Sequence, residues 1–205
     1  MPQQPQSAKT VPTEAMGERK QTPGNMLLIS GPSGCGKSTI CRHLRQDERV
    51  MFSVSATTRP KREGEVHGKD YYFLTTEEFK AKQRAGEFIE SADVYGNLYG
   101  TLRQPMQEAI DQGYIYLVEI DVQGAMQMRA GQEPGIYVFI APPSIEALEA
   151  RLIGRGSETK ESLKRRLSKA RSEMDYQERY DYVVVNEDLE QAIRDVRKIA
   201  GLEKP

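Results

Sequence analysis

The chain carries Gly31-Pro-Ser-Gly-Cys-Gly-Lys-Ser38 behind the apolar run Met26-Leu-Leu-Ile29, and that pairing restricts the fold more than any other stretch. The pattern G-x-x-x-x-G-K-[ST] between a short buried run and a helix predicts a strand, a phosphate-cradling loop and a helix, in that order. Gly31, Gly34 and Gly36 permit turns that a Cβ obstructs, so several backbone N–H groups can converge on one concavity at a helix N-terminus. Phosphate oxygens fit such a concavity. Lys37 is expected to reach the β- and γ-phosphates of a nucleoside triphosphate as a mobile point charge, and the Ser38 hydroxyl to take one coordination position on Mg2+. Ile40, Cys41 and Leu44 then fall on one helical face, which supplies the helix that the motif needs.

Length and charge narrow the classes that remain. At 205 residues the chain is expected to form one α/β domain with insertions and no second independent domain. Lys+Arg 29 against Asp+Glu 30 gives a formal net charge of −1, so no general attraction to nucleic acid or to an anionic membrane is implied. No apolar stretch approaches the ~20 residues of a membrane span. Residues 1–25 are polar and proline-rich, too poor in apolar side chains to bury anything, and read as a disordered tail. They lack the apolar centre of a secretory signal and fit an organelle transit peptide badly, so a cytoplasmic location is expected. Cys35 and Cys41 have neither disulfide nor structural-zinc spacing. Cys35 reads as a small packing residue rather than as a low-pKa thiol.

Further along, Val50-Met-Phe-Ser-Val54 reads as a strand, and the polar loop from Ser55 to Glu65 gathers Arg59, Lys61 and Arg62. Pro60 forces extended geometry at Arg59, which suits guanidinium groups spread around a dianion. Val66 to Leu74 reads as a hairpin-like segment, and Thr76 to Arg84 as a helix closed by Gly86, together a small αβ insertion. Gln104 to Gln112 is an amphipathic helix with Pro105 in its first turn and Gly113 as its stop. Tyr114 to Asp121 is an apolar strand ending in acids; Glu119 and Asp121 alternate with Ile120 and so are expected on one face, towards the metal region. Gly135 to Ile140 is another buried strand, and Ser144 to Leu152 a Ser-capped helix running into glycine-flanked Arg155. Glu161 to Glu178 is a highly charged helix with few apolar anchors, the profile of a lid. Tyr182 to Asn186 and Asp188 to Ala200 give the last strand and helix.

The stretches GPSGCGKST, SVSATTRPKREGEVHGKDYYFL, GEFIESADVYGNLYGT, EIDVQGA and RLIGRGSETKESLKRRL, in that order between Met26 and about Leu202, resemble guanylate kinases. The resemblance implies an α/β P-loop NTPase core, a parallel β-sheet flanked by helices, with an α/β GMP-binding insertion and a helical lid. In this chain the domain would span 26–205, with its core in 26–54 and 104–205, the insertion at about 55–103 and the lid at about 153–168. The implied reaction carries the γ-phosphoryl group of ATP to GMP, and to dGMP, giving ADP and GDP with Mg2+.

By the same resemblance, ATP would meet Gly31, Pro32, Ser33, Gly34, Cys35, Gly36, Lys37, Ser38, Thr39 and Asn186, while Lys37, Arg155 and Arg166 act on the transferring group. Arg151 and Arg165 are nearby candidates. Asn186 also fits a plain turn former at a strand end. The GMP phosphate would meet Arg59, Arg62, Tyr71 and Tyr99, whose guanidinium forks and phenol hydroxyls can saturate its acceptors. The guanine would meet Ser55, Glu90, Thr101 and Asp121. A carboxylate accepts from both N1–H and the exocyclic amine of guanine, whereas adenine presents a bare acceptor at N1. Ser38 would touch the metal directly, and Glu119 or Asp121 through water. The competing reading is a guanylate-kinase-like module that binds phosphopeptides without turnover, and the presence of Lys37, Arg155 and Arg166 speaks against it. The expected partners are the two nucleotides, with no nucleic acid and no membrane; monomer and homo-oligomer both stay open.

Overall fold

Asn25–Ser30 forms β1, and only its first residue is exposed. A strand buried on both faces belongs in the middle of a parallel sheet covered by helices. The computed structural model describes residues 24–94, 96–153 and 160–203. After β1 come α1 (Lys37–Leu44), β2 (Val50–Phe52), β3 (Ala56–Thr57), β4 (Tyr72–Phe73), α2 (Thr76–Arg84), β5 (Phe88–Val94), β6 (Asn97–Leu102) and α3 (Arg103–Asp111). Then follow β7 (Ile115–Glu119), α4 (Val122–Ala130), β8 (Ile136–Ala141), α5 (Ile145–Ile153), α6 (Lys160–Met174), β9 (Tyr182–Val185) and α7 (Leu189–Ile199).

Five strands make the main sheet in the order β2-β7-β1-β8-β9, all parallel. Alternate residues of its central strands feed two cores. Leu28, Tyr116, Val118 and Phe139 pack with Met106 of α3 and Val122, Ala125 and Met128 of α4. Leu27, Ile29, Leu117, Val138 and Ile140 pack with Ile40, Cys41 and Leu44 of α1 and Ala192, Ile193 and Val196 of α7. Each large side chain so enclosed contributes about 1.5–3 kcal/mol, so the two cores fix the sheet whose upper edge carries the loop after β1.

The second sheet, in the order β4-β3-β6-β5, has a small core of Ala56, Phe79 and Phe88. Phe79 stacks on Phe88 with ring centroids 4.3 Å apart. Helix α2 starts in a capping box, Thr75 accepting from the Glu78 N–H and Glu78 from the Thr75 N–H.

Val66 to Leu74 does not fold as a hairpin. The Tyr72 and Leu74 N–H groups donate to the Ser55 and Thr57 carbonyls, so β4 lies parallel to β3 and completes that strand's open edge. The hairpin in this region is β5–β6, turned where Asp93 accepts from the Gly96 N–H at 2.7 Å. Helix α6 ends at Met174, short of Glu178, and a 3-10 turn takes over Gln177–Arg179. It is better anchored than its charge suggests: Leu163, Leu167 and Ala170 pack on Leu148 and Leu152 of α5. No helix among the described residues is long and apolar enough to cross a membrane.

Candidate active site

Residues 31–36 join β1 to α1, so buried elements hold the loop at both ends. Gly31 has φ +138, and a Cβ there would strike the Ile140 carbonyl of the neighbouring strand. Gly36 has φ +102, and a Cβ there would overlap the side-chain amide of Asn186. Only glycine lets the loop lie this close to what supports it. Gly31, Ser33, Gly34, Gly36, Lys37, Ser38 and Thr39 wall a cavity of about 310 Å3. Pro32 and Cys35 stand outside that wall. Cys35 is fully buried under the loop, and burial pushes its thiol up despite the opposing charge of Lys37, as befits a packing residue.

Lys37 opens α1 and folds its ammonium against the loop, donating to the carbonyls of Gly31 at 2.6 Å and Pro32 at 2.9 Å. Those acceptors are neutral, so they orient the charge without cancelling it. Asn186, buried at the end of β9, donates its amide to the Cys35 carbonyl at 2.7 Å. Its backbone carbonyl takes a guanidinium N–H of Arg151 at 2.8 Å. Asn186 therefore braces the loop from below.

The far wall of the cavity holds Glu119, Asp121, Lys169 and Glu173. The Ser38 hydroxyl donates to Glu119 at 2.5 Å. Strand β7 ends at Glu119, so Asp121 shares this wall for a reason other than strand alternation: it caps α4, accepting from the Gly124 N–H at 3.0 Å. Ser38, Glu119 and Asp121 offer the hard oxygen donors that Mg2+ takes. No group of three or more His, Cys, Asp or Glu residues among the described residues could hold a metal ion, so such an ion would draw its remaining ligands from phosphate and water.

Sequence reasoning missed Lys169 and Glu173. The ammonium of Lys169 lies 3.6 Å from Asp121 and 3.5 Å from Glu173. Burial pushes the Glu173 carboxyl up, against the pull of Lys169 and Lys37. Their spacing of four shows that they share a face of α6, but nothing local says which face meets the loop.

In the insertion the structure brings Arg59, Tyr71 and Tyr99 together. The Arg59 guanidinium sits 5.4 Å from the centre of the Tyr71 ring, and the two tyrosine rings meet edge-on at 6.0 Å. Hydrogen bonds to Glu65 hold the Arg59 pKa above its usual range, with Tyr99 contributing less. Glu65 was also missed. Arg62 is an exposed residue of the same loop, held through its backbone N–H by Glu65 at 2.7 Å.

Glu90 is buried in β5 and accepts from the Thr101 hydroxyl at 2.8 Å. Burial raises its pKa, and the charge of Asp121 raises it further against the opposing Thr101 hydrogen bonds. A Cβ on Gly124 would come within 3.3 Å of the Glu90 carboxylate, so the start of α4 closes over it. Ser55 is half-buried just before β3 and pairs its carbonyl with Tyr72. Arg166 is half-buried on α6. Arg155 lies outside the described residues.

A glycine-cradled phosphate loop at the upper edge of a parallel sheet, with a lysine and a serine–carboxylate pair in its cavity, defines a P-loop kinase. The profile of the guanylate kinase family matches residues 23–202, and the chain belongs to that family. It is 47% identical to a guanylate kinase of Clostridium acetobutylicum over 181 residues, 88% of this chain and 87% of that protein. A guanylate kinase of Carboxydothermus hydrogenoformans is 43% identical over 182 residues, 88% of this chain and 89% of its own length. Among solved structures, the guanylate kinase of Anaplasma phagocytophilum superposes with a TM-score of 0.66 at 39% identity, covering 89% of this chain and 88% of that one.

Proposed function

We propose that this kinase transfers the γ-phosphoryl group of ATP to GMP, giving ADP and GDP, and to dGMP, giving ADP and dGDP, in purine nucleotide metabolism in the cytoplasm. The observation that carries the reading is the buried Glu90 carboxylate, oriented by Thr101, in electrostatic reach of an aspartate on the wall of the phosphate cavity. A carboxylate there accepts from guanine N1–H and the exocyclic amine, and Ser55, Thr101 and Asp121 complete the guanine contacts. Arg59, Arg62, Tyr71 and Tyr99 hold the acceptor phosphate in line with the donor.

On the donor side, the loop from Gly31 to Thr39 takes the ATP phosphates, with Asn186 bracing it at the adenine end. Mg2+, held by Ser38 and through water by Glu119 or Asp121, would neutralise charge on the donor phosphates. Lys37 places its ammonium at the β- and γ-phosphates. Arg155 and Arg166 bring further positive charge when the lid, at about 153–168, closes and excludes water. The acceptor oxygen is already anionic near neutral pH, so no protein base is required.

A coupled ADP-release assay with Mg·ATP and GMP, dGMP, AMP, UMP or CMP tests the assignment. GMP and dGMP should turn over, and AMP at least about a hundredfold less well, the order of discrimination that unpaired buried polar groups provide. Equal use of AMP, or no GDP from GMP, would overturn it.

A further inference from the structure

Glu65 makes three hydrogen bonds through one carboxylate. Its Oε1 accepts from Arg59 Nη2 at 2.7 Å, and its Oε2 from Arg59 Nη1 at 3.1 Å and from the Arg62 backbone N–H at 2.7 Å. The Glu65 N–H returns to the Arg62 carbonyl at 3.3 Å, closing the turn. Arg59 Nη1 also donates to the Pro60 carbonyl at 2.7 Å. The ion pair is sheltered, with the two side chains 13% and 19% exposed. A guanidinium has five N–H donors in a fixed plane. Glu65 and Pro60 engage both hydrogens of Nη1 and one of Nη2. The remaining Nη2 hydrogen and Nε–H form the side-on fork, with the Tyr99 hydroxyl also in reach of the guanidinium, and such a fork matches two oxygens of a phosphate.

We propose that Glu65 is the positioning residue of the acceptor site, locking Arg59 end-on so that its side-on fork, beside Tyr71 and Tyr99, receives the nucleoside monophosphate phosphate, while fixing the backbone from which Arg62 reaches the same group. The inference rests on the proposed GMP reading. It carries an unusual sign. Glu65 is an anion next to the place of a dianion, so by Coulomb attraction alone its removal should tighten GMP. Positioning predicts the reverse, because an unanchored Arg59 must be ordered at each binding event.

The test uses the full chain with Mg·ATP and compares wild type with Glu65→Ala and Glu65→Gln. Glu65→Ala should raise the GMP Michaelis constant about 10- to 100-fold, the equivalent of one or two charge-assisted hydrogen bonds. Glu65→Gln, which keeps one acceptor oxygen, should fall between. The ATP Michaelis constant should stay within about twofold, since Glu65 lies outside the cavity wall. The inhibition constant of guanosine, which carries no phosphate, should not change. A GMP Michaelis constant that stays level or falls in Glu65→Ala overturns the proposal. So does an equal loss of guanosine affinity, which would mark a general structural role. A wild-type enzyme that makes no GDP overturns the substrate reading and the inference with it, whereas an active wild type with an indifferent variant overturns the inference alone.

Discussion

Replacing Glu90 by Gln separates recognition from stability, because the two should respond with opposite signs. In the wild type, one carboxylate oxygen takes the Thr101 hydroxyl at 2.8 Å, and the group keeps lone pairs for two guanine N–H donors. Gln offers one oxygen and one NH2, so a guanine donor then faces a donor. Losing a charge-assisted hydrogen bond costs about 1.5–3 kcal/mol and leaving buried donors unpaired a further 1–3 kcal/mol. A total of about 3–5 kcal/mol raises the GMP Michaelis constant roughly a hundredfold to a few thousandfold. ATP should be affected less than about threefold, since Glu90 does not line the loop cavity.

Stability runs the other way. Burial, then the charge of Asp121, lifts the Glu90 pKa above that of the unfolded chain. The folded state therefore binds this proton more tightly, and the associated stability is present at low pH and lost as pH rises through the raised pKa. Glu90→Gln lacks that loss, so it should melt no lower than wild type at about pH 8, and its relative advantage should shrink towards about pH 4. Over the same interval the wild-type GMP Michaelis constant should fall as pH rises, because guanine requires the ionised carboxylate. Coupled kinetics and thermal melts across pH measure both. Equal losses for GMP and ATP, or a melting point several degrees lower at about pH 8, would refute the reasoning.

Lys37→Ala should lower turnover at least about a hundredfold, the scale for removing one preorganised charge from a phosphoryl-transfer site. Its melting point should hardly move, because the ammonium meets only neutral groups of the loop, the Gly31 and Pro32 carbonyls and, at 3.9 Å, the Cys35 sulfur; unchanged turnover would remove Lys37 from the mechanism. Asn186→Ala should cost about 1–2 kcal/mol in urea unfolding through the lost donor to the Cys35 carbonyl. It should also raise the ATP Michaelis constant and leave that of GMP level, and the reverse pattern would refute its place under the donor loop. Phe139→Ala empties a fully buried site where the ring meets Tyr180 edge-on at 5.1 Å, and should cost about 3–5 kcal/mol. A loss below about 1 kcal/mol would contradict the packing.

The parts of the fold visible in the sequence are those fixed by local chemistry. The glycine spacing of the loop, the apolar run of β1 and the Gly86 stop of α2 each depend on residues a few positions apart, and each marks its element to within a residue or two. The hairpin β5–β6 is hidden because its register shifts between Phe88 and Glu90 and because Phe88, Ile89 and Glu90 are buried in succession. A buried carboxylate inside a strand erases the alternation by which strands are found. The site divides in the same way. Lys37 and Ser38 are explicit in the motif, whereas Glu65, Lys169 and Glu173 depend on which neighbour a side chain meets after the chain has folded. A loop judged by its basic residues alone conceals that one of its own acids organises them.

Lys37 and Arg59, the two cations proposed to meet the donor and acceptor phosphates, are supported in different ways, and on that proposal the difference bears on how each half of the reaction is driven. Lys37 is held by carbonyl oxygens, so its full charge stays available where negative charge accumulates on the transferring group. Arg59 is paired with a carboxylate, so much of its charge is already neutralised, and what it offers a phosphate is a fork at a fixed angle. An uncancelled charge strengthens as the surroundings dry, whereas a fixed fork serves alignment, which effective-molarity arguments make worth as much as charge. The supports follow the same division: the donor loop rests on the two large cores of the main sheet, and the acceptor fork on a single ion pair above the small core of Ala56, Phe79 and Phe88. The acceptor half, with the fewest buried contacts beneath it, is therefore the half that depends most on one polar side chain for its geometry.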